Sequence, residues 1–231
     1  METEYQLALT YQPRIWKDRK EPFPIRYFGY TVFRERGASQ SFKDLTLDPA
    51  ELGASYIIEY AVYYDYDIQH LYDLEHVWVA VDPSGAVTGC WSSFHGMRLR
   101  AHRIAAFRLE GTHAVLYAQP GKHALLPDPA LCWLHQDFPE SCGLKAGGGL
   151  LIPPMLAAAM ETNENQDRMI ERHIRTHYAF SPALEYEPEI VKPEQVIPWP
   201  QLLAKIPELV AEELCRIRRA HVPSDLSVRK E

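Results

Sequence analysis

Apolar and polar residues alternate through much of the first half of the chain, and a period of two predicts β-strands. IRYFGYTVFRE, SYIIEYAVYYDYD and LEHVWVAV are rich in aromatic and β-branched residues, which suit a pleated, half-buried surface. LEHVWVAV ends at Asp82-Pro83-Ser84-Gly85, a strong turn sequence, and AVTGCWSSFHG returns from it, so the two predict a hairpin. RIAAFRLE and HAVLYAQPG predict a second strand pair. The pattern changes after Gly121. PDPALCWLHQDFPESCGLKAGGGLLIPP reads as loop, with three adjacent glycines at 147–149. MLAAAMETNENQDRMIERHIRTHY has a helical period, and WPQLLAKIPELVAEELCRIRRAH is amphipathic in spite of Pro207. The expected fold class is mainly β (α+β): one domain with an antiparallel β-sandwich core over residues 1–126. A loop and helical annex over 127–231 is expected to pack on that core.

Composition narrows the class. The 231 residues are 46% hydrophobic and 24% charged, ordinary for a folded soluble protein, and disorder is expected only in the closing SDLSVRKE. A formal net charge of -7 argues against nucleic acid as a partner, since phosphate backbones need a basic surface. The first residues lack a basic-then-apolar export signal, and no apolar run reaches membrane-spanning length, so the expected location is cytoplasmic. The four cysteines (Cys90, Cys132, Cys142, Cys215) form no CxxC pair and read as reduced thiols.

The chemistry concentrates in YYDYDIQHLYDLEHVWVAVD, residues 63–82. Strand alternation puts Asp73 and Glu75 on one face with Val77, Val79 and Val81. Carboxylates at the end of an apolar row are costly to bury without a cation or a basic partner. His70 lies in the loop leading in, and Asp65 or Asp67 would add an oxygen. Oxygens with one imidazole suit magnesium, calcium or manganese, with zinc or iron as further options. A solvated or salt-bridged rim is the plainer alternative. His95 ends the return strand in SSFHG, and His123 follows the later strand in YAQPGKHA. A turn of about four residues after Val81 puts His95 on the face away from Asp73, and one of about five puts it opposite Asp73. His76 reads as structural. His135 and Asp137 form a candidate hydrogen-bonded pair.

QHLYDLEHVWVAVD followed by SSFHG resembles the GHRHDWE core of the necrosis- and ethylene-inducing proteins. With VLYAQPGKHA and the opening LALTYQPRIWKDRKEPFPI, the chain is also similar to the related vacuolar protein sorting-associated protein 62 family. The resemblance covers roughly residues 5–126 and is specific over 56–126. It implies a β-sandwich with flanking helices and a divalent ion in an acidic cavity. Matched position by position, it implies His70, Asp73 and Glu75 as ligands, with Asp65 or Asp67 as the upstream aspartate. The family's later histidines match His95 and His123. Tyr72, Leu74 and Gln69 stand where the motif has histidine, tryptophan and glycine, which bears on the cytolytic role more than on the ion site.

Two main functions follow as expectations. One is a metal-dependent hydrolase acting on a polar or glycosylated small molecule, with His95 or His123 as acid or base and a metal-activated water. Tyr63, Tyr64, Tyr66, Tyr72, Trp78, Trp91 and Trp133 would line its groove, although Trp78 and Trp91 read better as core. GLKAGGG would serve as a lid or phosphate cradle. The other is a metal-dependent module that binds a glycan or glycolipid headgroup without turnover. A structural ion is a third, weaker reading.

Overall fold

The computed structural model describes residues 2–221; the expectation of disorder in SDLSVRKE lies outside them. In chain order the regular elements are α1 (Glu4–Thr10), β1 (Arg14–Asp18), β2 (Ile25–Phe33), β3 (Gly37–Ala38), β4 (Thr46–Leu47), β5 (Tyr56–Tyr66), β6 (Leu71–Val81), β7 (Val87–Phe94), β8 (Met97–Leu99), β9 (Leu109–Glu110), β10 (His113–Ala118), β11 (Leu125–Leu126), α2 (Glu164–His177), β12 (Tyr186–Pro188), β13 (Val196–Pro198) and α3 (Trp199–His221). The protein is mainly β, with its long helices C-terminal, as the sequence predicts.

One sheet runs β13-β2-β5-β6-β7-β8 and the other β11-β10-β1-β12, with β9 paired to β10. The eleven-residue β5 and β6 form the centre of the first sheet. Their register pairs Tyr60 with Val77, Val62 with Glu75 and Tyr64 with Asp73. Cross-strand partners share a face. The face that carries Tyr60, Val77 and Val79 packs into the same core as Ile15, Ala114 and Leu116 of the second sheet. The opposite face buries Ile57, Trp78, Ala80 and Trp91 under Leu47, Phe42 and Leu45. The β6–β7 turn is built as its sequence predicts: Asp82 Oδ1 accepts from Ser84 and Ala86 N–H, and Gly85 takes φ 85.

Four features differ from expectation. Two strand pairs are parallel, β1 with β10 and β13 with β2. RIAAFRLE contributes only β9; the principal partner of β10 is β1, from the opposite end of the β core. The first helical pattern, which begins at Met155, becomes α-helix only at Glu164. Its opening residues instead join the 3-10 turn Pro154–Leu156, and the Asn163 side chain caps Asn165 and Gln166 N–H. Finally, residues 127–221 are more than an annex, since β12 extends one sheet and β13 extends the other. Helix α3 then crosses β2 so closely that a Cβ on Gly29 would lie 2.8 Å from Leu202.

Candidate functional site

The β5–β6 hairpin turns over residues 67–70, and Asp67 organises the turn. Its Oδ1 accepts from Gln69 N at 2.5 Å and from His70 N, and its Oδ2 meets His70 Nδ1 at 3.2 Å and Lys122 Nζ at 2.5 Å. Burial opposes the charge on Asp67. The His70 hydrogen bond and the Lys122 ammonium outweigh it and hold the carboxyl at about 2. Lys122 reaches this point from the tight turn 119–123, in which Lys122 and His123 N–H both donate to the Gln119 carbonyl. Gly121 enters that turn at φ 72, and a Cβ there would lie 2.9 Å from Ile68.

The register places Asp73 and Glu75 on the inner face with Val77, as the alternation predicts. Asp73 Oδ1 accepts from Leu74 N at 2.8 Å, and its Oδ2 faces His123 Nδ1 at 3.0 Å. His123 is wholly buried and stacked on Tyr64 at 3.8 Å, with Nε2 3.4 Å from Glu21 Oε1. Burial pulls its pKa down, but the charges of Glu21 and Asp73 win and raise it to about 10. Glu21 in turn accepts Gly121 N–H at 2.7 Å. Glu75 accepts the Ser93 hydroxyl, whose oxygen receives His76 N–H at 2.6 Å. Burial first, and the charge on Asp73 second, push the Glu75 carboxyl well above the ordinary range.

His95 and Gly96, at φ 48 and 78, make the two-residue turn between β7 and β8; positive φ at both positions is the hairpin geometry that glycine favours. An irregularity between Ala80 and Val81 shifts the β6–β7 register, and His95 stands in a turn outside strand alternation. Its Nε2 lies 2.8 Å from Gln119 Oε1, and its ring packs on His135 at 4.3 Å. Burial lowers its pKa, the Gln119 bond only partly opposing, so the imidazole is neutral at pH 7. Asp137 pairs with Lys145 and not with His135.

Asp67, His70, Asp73, Glu75, His95 and Lys122 line one cavity of about 410 Å³, whose apolar walls include Phe42, Tyr72, Leu74 and Met155. His123 lies behind Asp73, inside the core. Asp65 does not join them. It lies 3.2 Å from Arg26 Nε, and burial raises its carboxyl to about 6 against the pull of Arg26. Of the aromatic residues expected in a groove, Tyr72 lines the cavity. Trp78 and Trp91 are in the outer-face core, and Tyr64 and Tyr66 are in the inner one. The glycines at 147–149 form a packed seam and no lid or cradle: added Cβ atoms would lie 2.7 Å from Glu171 O, 2.1 Å from Gln69 O and 2.5 Å from Asp167 Oδ1. All four cysteines are free thiols. Lys122, Glu21, Ser93 and Gln119 complete the site without having been singled out in the sequence. QPGKH, a turn with a lone lysine beside an expected site histidine, is the signal that points to Lys122.

Among the described residues no group of three or more His, Cys, Asp and Glu side chains is gathered so that it could hold a metal ion. The expected ligands have other partners: Asp65 has Arg26, Asp67 has Lys122 and His70, and Asp73 has His123. As placed, these residues do not fit a divalent-ion centre. The protein's own cations offset its buried acids.

No protein-family model and no curated protein sequence matches the chain. Among solved structures it is similar to NLPPya in complex with glucosamine, at 18% identity and TM-score 0.35, over 53% of this chain and 65% of that one. It is also similar to Necrosis and Ethylene inducing Protein 2 from the causal agent of cocoa's Witches Broom disease. That match has 21% identity and TM-score 0.27, over 41% of this chain and 43% of that one. This chain therefore spans less than two thirds of the length of either neighbour. The neighbours are of the necrosis- and ethylene-inducing type.

The metal-dependent hydrolase expected from the sequence is overturned. Its expected ligands Asp65, Asp67, His70 and Asp73 are paired with the protein's own side chains. His123 has no exposed surface and both its ring nitrogens face carboxylates, so it is not available to exchange protons with a substrate. Among the described residues no helix is long and apolar enough to cross a membrane.

Proposed function

We propose that this protein is a binding module for a polyhydroxyl headgroup, an amino sugar or a related glycan unit, held in the cavity at the β5–β6 hairpin and used without turnover. One observation carries the reading: polar groups fixed by their own hydrogen bonds converge with apolar walls on a cavity of about 410 Å³. Sugars present hydroxyls at their edges and C–H groups on their faces, and that mixture is what such a wall recognises. Asp73 supplies acceptors and negative potential, suited to hydroxyls and to an ammonium, and Glu75, its carboxyl pushed up by burial and by Asp73, supplies a neutral hydrogen-bonding group. His95, neutral and anchored on Gln119, supplies a ring nitrogen. Phe42, Tyr72 and Met155 supply apolar contact. The likeness to the vacuolar protein sorting-associated protein 62 family rests on motifs and belongs with this reading.

The glucosamine of NLPPya sets the first probe. Calorimetric titration with glucosamine and with glucose, each with and without EDTA, is expected to give saturable binding. Binding should persist in EDTA, should be tighter for the amino sugar, and should leave no product on prolonged incubation. Asp73→Asn is expected to weaken glucosamine about tenfold, the loss of one charged hydrogen bond. Turnover of a glycoside, or failure of both sugars to bind, overturns the reading.

A further inference from the structure

A second concavity lies on the opposite face of the same sheet and is opposite in charge. Its volume is about 310 Å³, at the lower end of the range of about 300–1,000 Å³ typical of small-molecule sites. Trp91 forms part of its wall, lying so flat over Gly89 that a Cβ there would meet the indole at 2.6 Å. Arg98 comes from β8, Arg100 follows the end of that strand, and Arg103 belongs to the single 3-10 turn Ala101–Arg103. The Arg98 guanidinium sits 5.3 Å from the centre of the Trp91 ring and 6.0 Å from that of Trp78. His102 adds an imidazole packed edge-on against Trp91 at 4.7 Å, its Nδ1 held by the Cys90 carbonyl at 2.7 Å.

The cations here lack counter-charges. Among the described residues, Arg98, Arg100 and Arg103 make no salt bridge and no side-chain hydrogen bond. Seven other arginines find carboxylates, Arg14, Arg19, Arg26, Arg108, Arg168, Arg175 and Arg216, while Arg34, Arg36 and Arg172, which do not line the hollow, find none among the described residues. In a chain of net charge -7, three guanidinium groups gathered in one hollow without an acid oppose one another. Burial and the charge of Arg100 together pull the Arg98 pKa below its ordinary value. A multivalent anion would relieve that repulsion. Guanidinium forks match the paired oxygens of a phosphate, and stacking on an indole pre-orients one of them at little entropic cost.

We infer that the hollow formed by Arg98, Arg100, Arg103, His102 and Trp91 is a binding site for a phosphomonoester. It lies on the outer face of the sheet, shares no lining residue with the sugar cavity, and does not depend on the function proposed for that cavity.

The test titrates the full chain with inorganic phosphate and with glycerol phosphate by calorimetry. In parallel it sediments the chain with phosphatidylcholine vesicles, plain or carrying phosphatidic acid. The variants are Arg98→Lys, which keeps the charge and loses the fork, and the double variant Arg98→Gln with Arg100→Gln. Both positions are exposed, so the fold is retained, as a thermal melt would verify. Saturable binding that weakens a few-fold in Arg98→Lys and about tenfold per arginine removed in the double variant supports the site. Binding to the soluble esters alone identifies a soluble ligand; binding to phosphatidic acid vesicles and not to plain ones identifies a lipid headgroup. Absence of saturable binding to every probe, or equal binding by wild type and the double variant, overturns the inference.

Discussion

At the scale of single residues, the site is a set of buried acids, each answered by a cation or a hydroxyl from a distant part of the chain. His123 is the central example, a buried imidazolium between Glu21 and Asp73. Removing one member of such a group strands the others as uncompensated charges. His123→Ala is therefore expected to cost about 3–5 kcal/mol of stability, measured by urea unfolding. A variant as stable as wild type would mean that these charges are solvated. Lys122 plays the same part for Asp67. Lys122→Met leaves the acidic rim short of a cation, so calcium titration is expected to release heat with the variant and not with wild type. Equal uptake by both would show that the lysine does not stand in for an ion. Glu59 offers a pH test away from the cavity. Burial raises its carboxyl above the ordinary 4.5, and hydrogen bonds from Ser39 and Trp78 offset this only in part. A raised folded value means that ionisation opposes folding: stability is greatest below the unfolded value and falls as pH rises through it to the folded value. Ser39 and Trp78 both donate to Oε1, which glutamine retains. The stability of Glu59→Gln relative to wild type is thus expected to grow as pH rises from about 4.5 toward neutrality. A difference that does not change with pH would contradict the assignment.

At the scale of elements, local pattern accounts for what the chain made legible. The period of two in LEHVWVAV put Asp73 and Glu75 on the face of Val77, and the pairing of β5 with β6 agrees. Asp82-Pro83-Ser84-Gly85 declares its turn through the Asp82 side-chain cap and the positive φ of Gly85, whereas His95, read as a strand end, sits in a turn with Gly96. The rest of the site was hidden because its partners are remote in sequence: Gly121 N–H meets Glu21 across 100 positions, and Lys122 meets Asp67 across 55. Neither composition nor period encodes such a meeting. The parallel pairing of β1 with β10 is the reason for it, since it brings the first strand, and Glu21 just past it, beside the 119–123 turn. The glycines at 147–149 misled for a related reason. They read as flexible, whereas the β5–β6 hairpin tip and α2 leave no room for a side chain between them. Gly148→Ala would set a Cβ 2.1 Å from the Gln69 carbonyl and must move the hairpin that carries Asp67 and His70. The expected loss is about 1–3 kcal/mol, with weakened glucosamine binding. An alanine variant with unchanged melting and affinity would mean that the seam is loose.

At the scale of the whole molecule, the C-terminal segment decides whether core and site unfold together. The strands after residue 180 complete both sheets, β12 along β1 and β13 along β2, and α3 buries Trp199, Leu202 and Ile206 in the same core as β2 and β5. Glu213 on that helix accepts the Tyr66 hydroxyl at 2.7 Å, one residue before the Asp67 turn. A chain ended at residue 180 would expose the edges of β1 and β2 and open the apolar surface over Gly29, losing the packing that closes the core behind the cavity. Full-length protein is therefore expected to unfold in one cooperative transition, with far-ultraviolet circular dichroism and glucosamine protection giving the same midpoint. The shortened chain is expected to lose both the transition and the binding, and to associate through its open edges. If it kept a sharp transition and bound glucosamine, residues 1–180 would be self-sufficient, and the strands β12 and β13 would be additions to them.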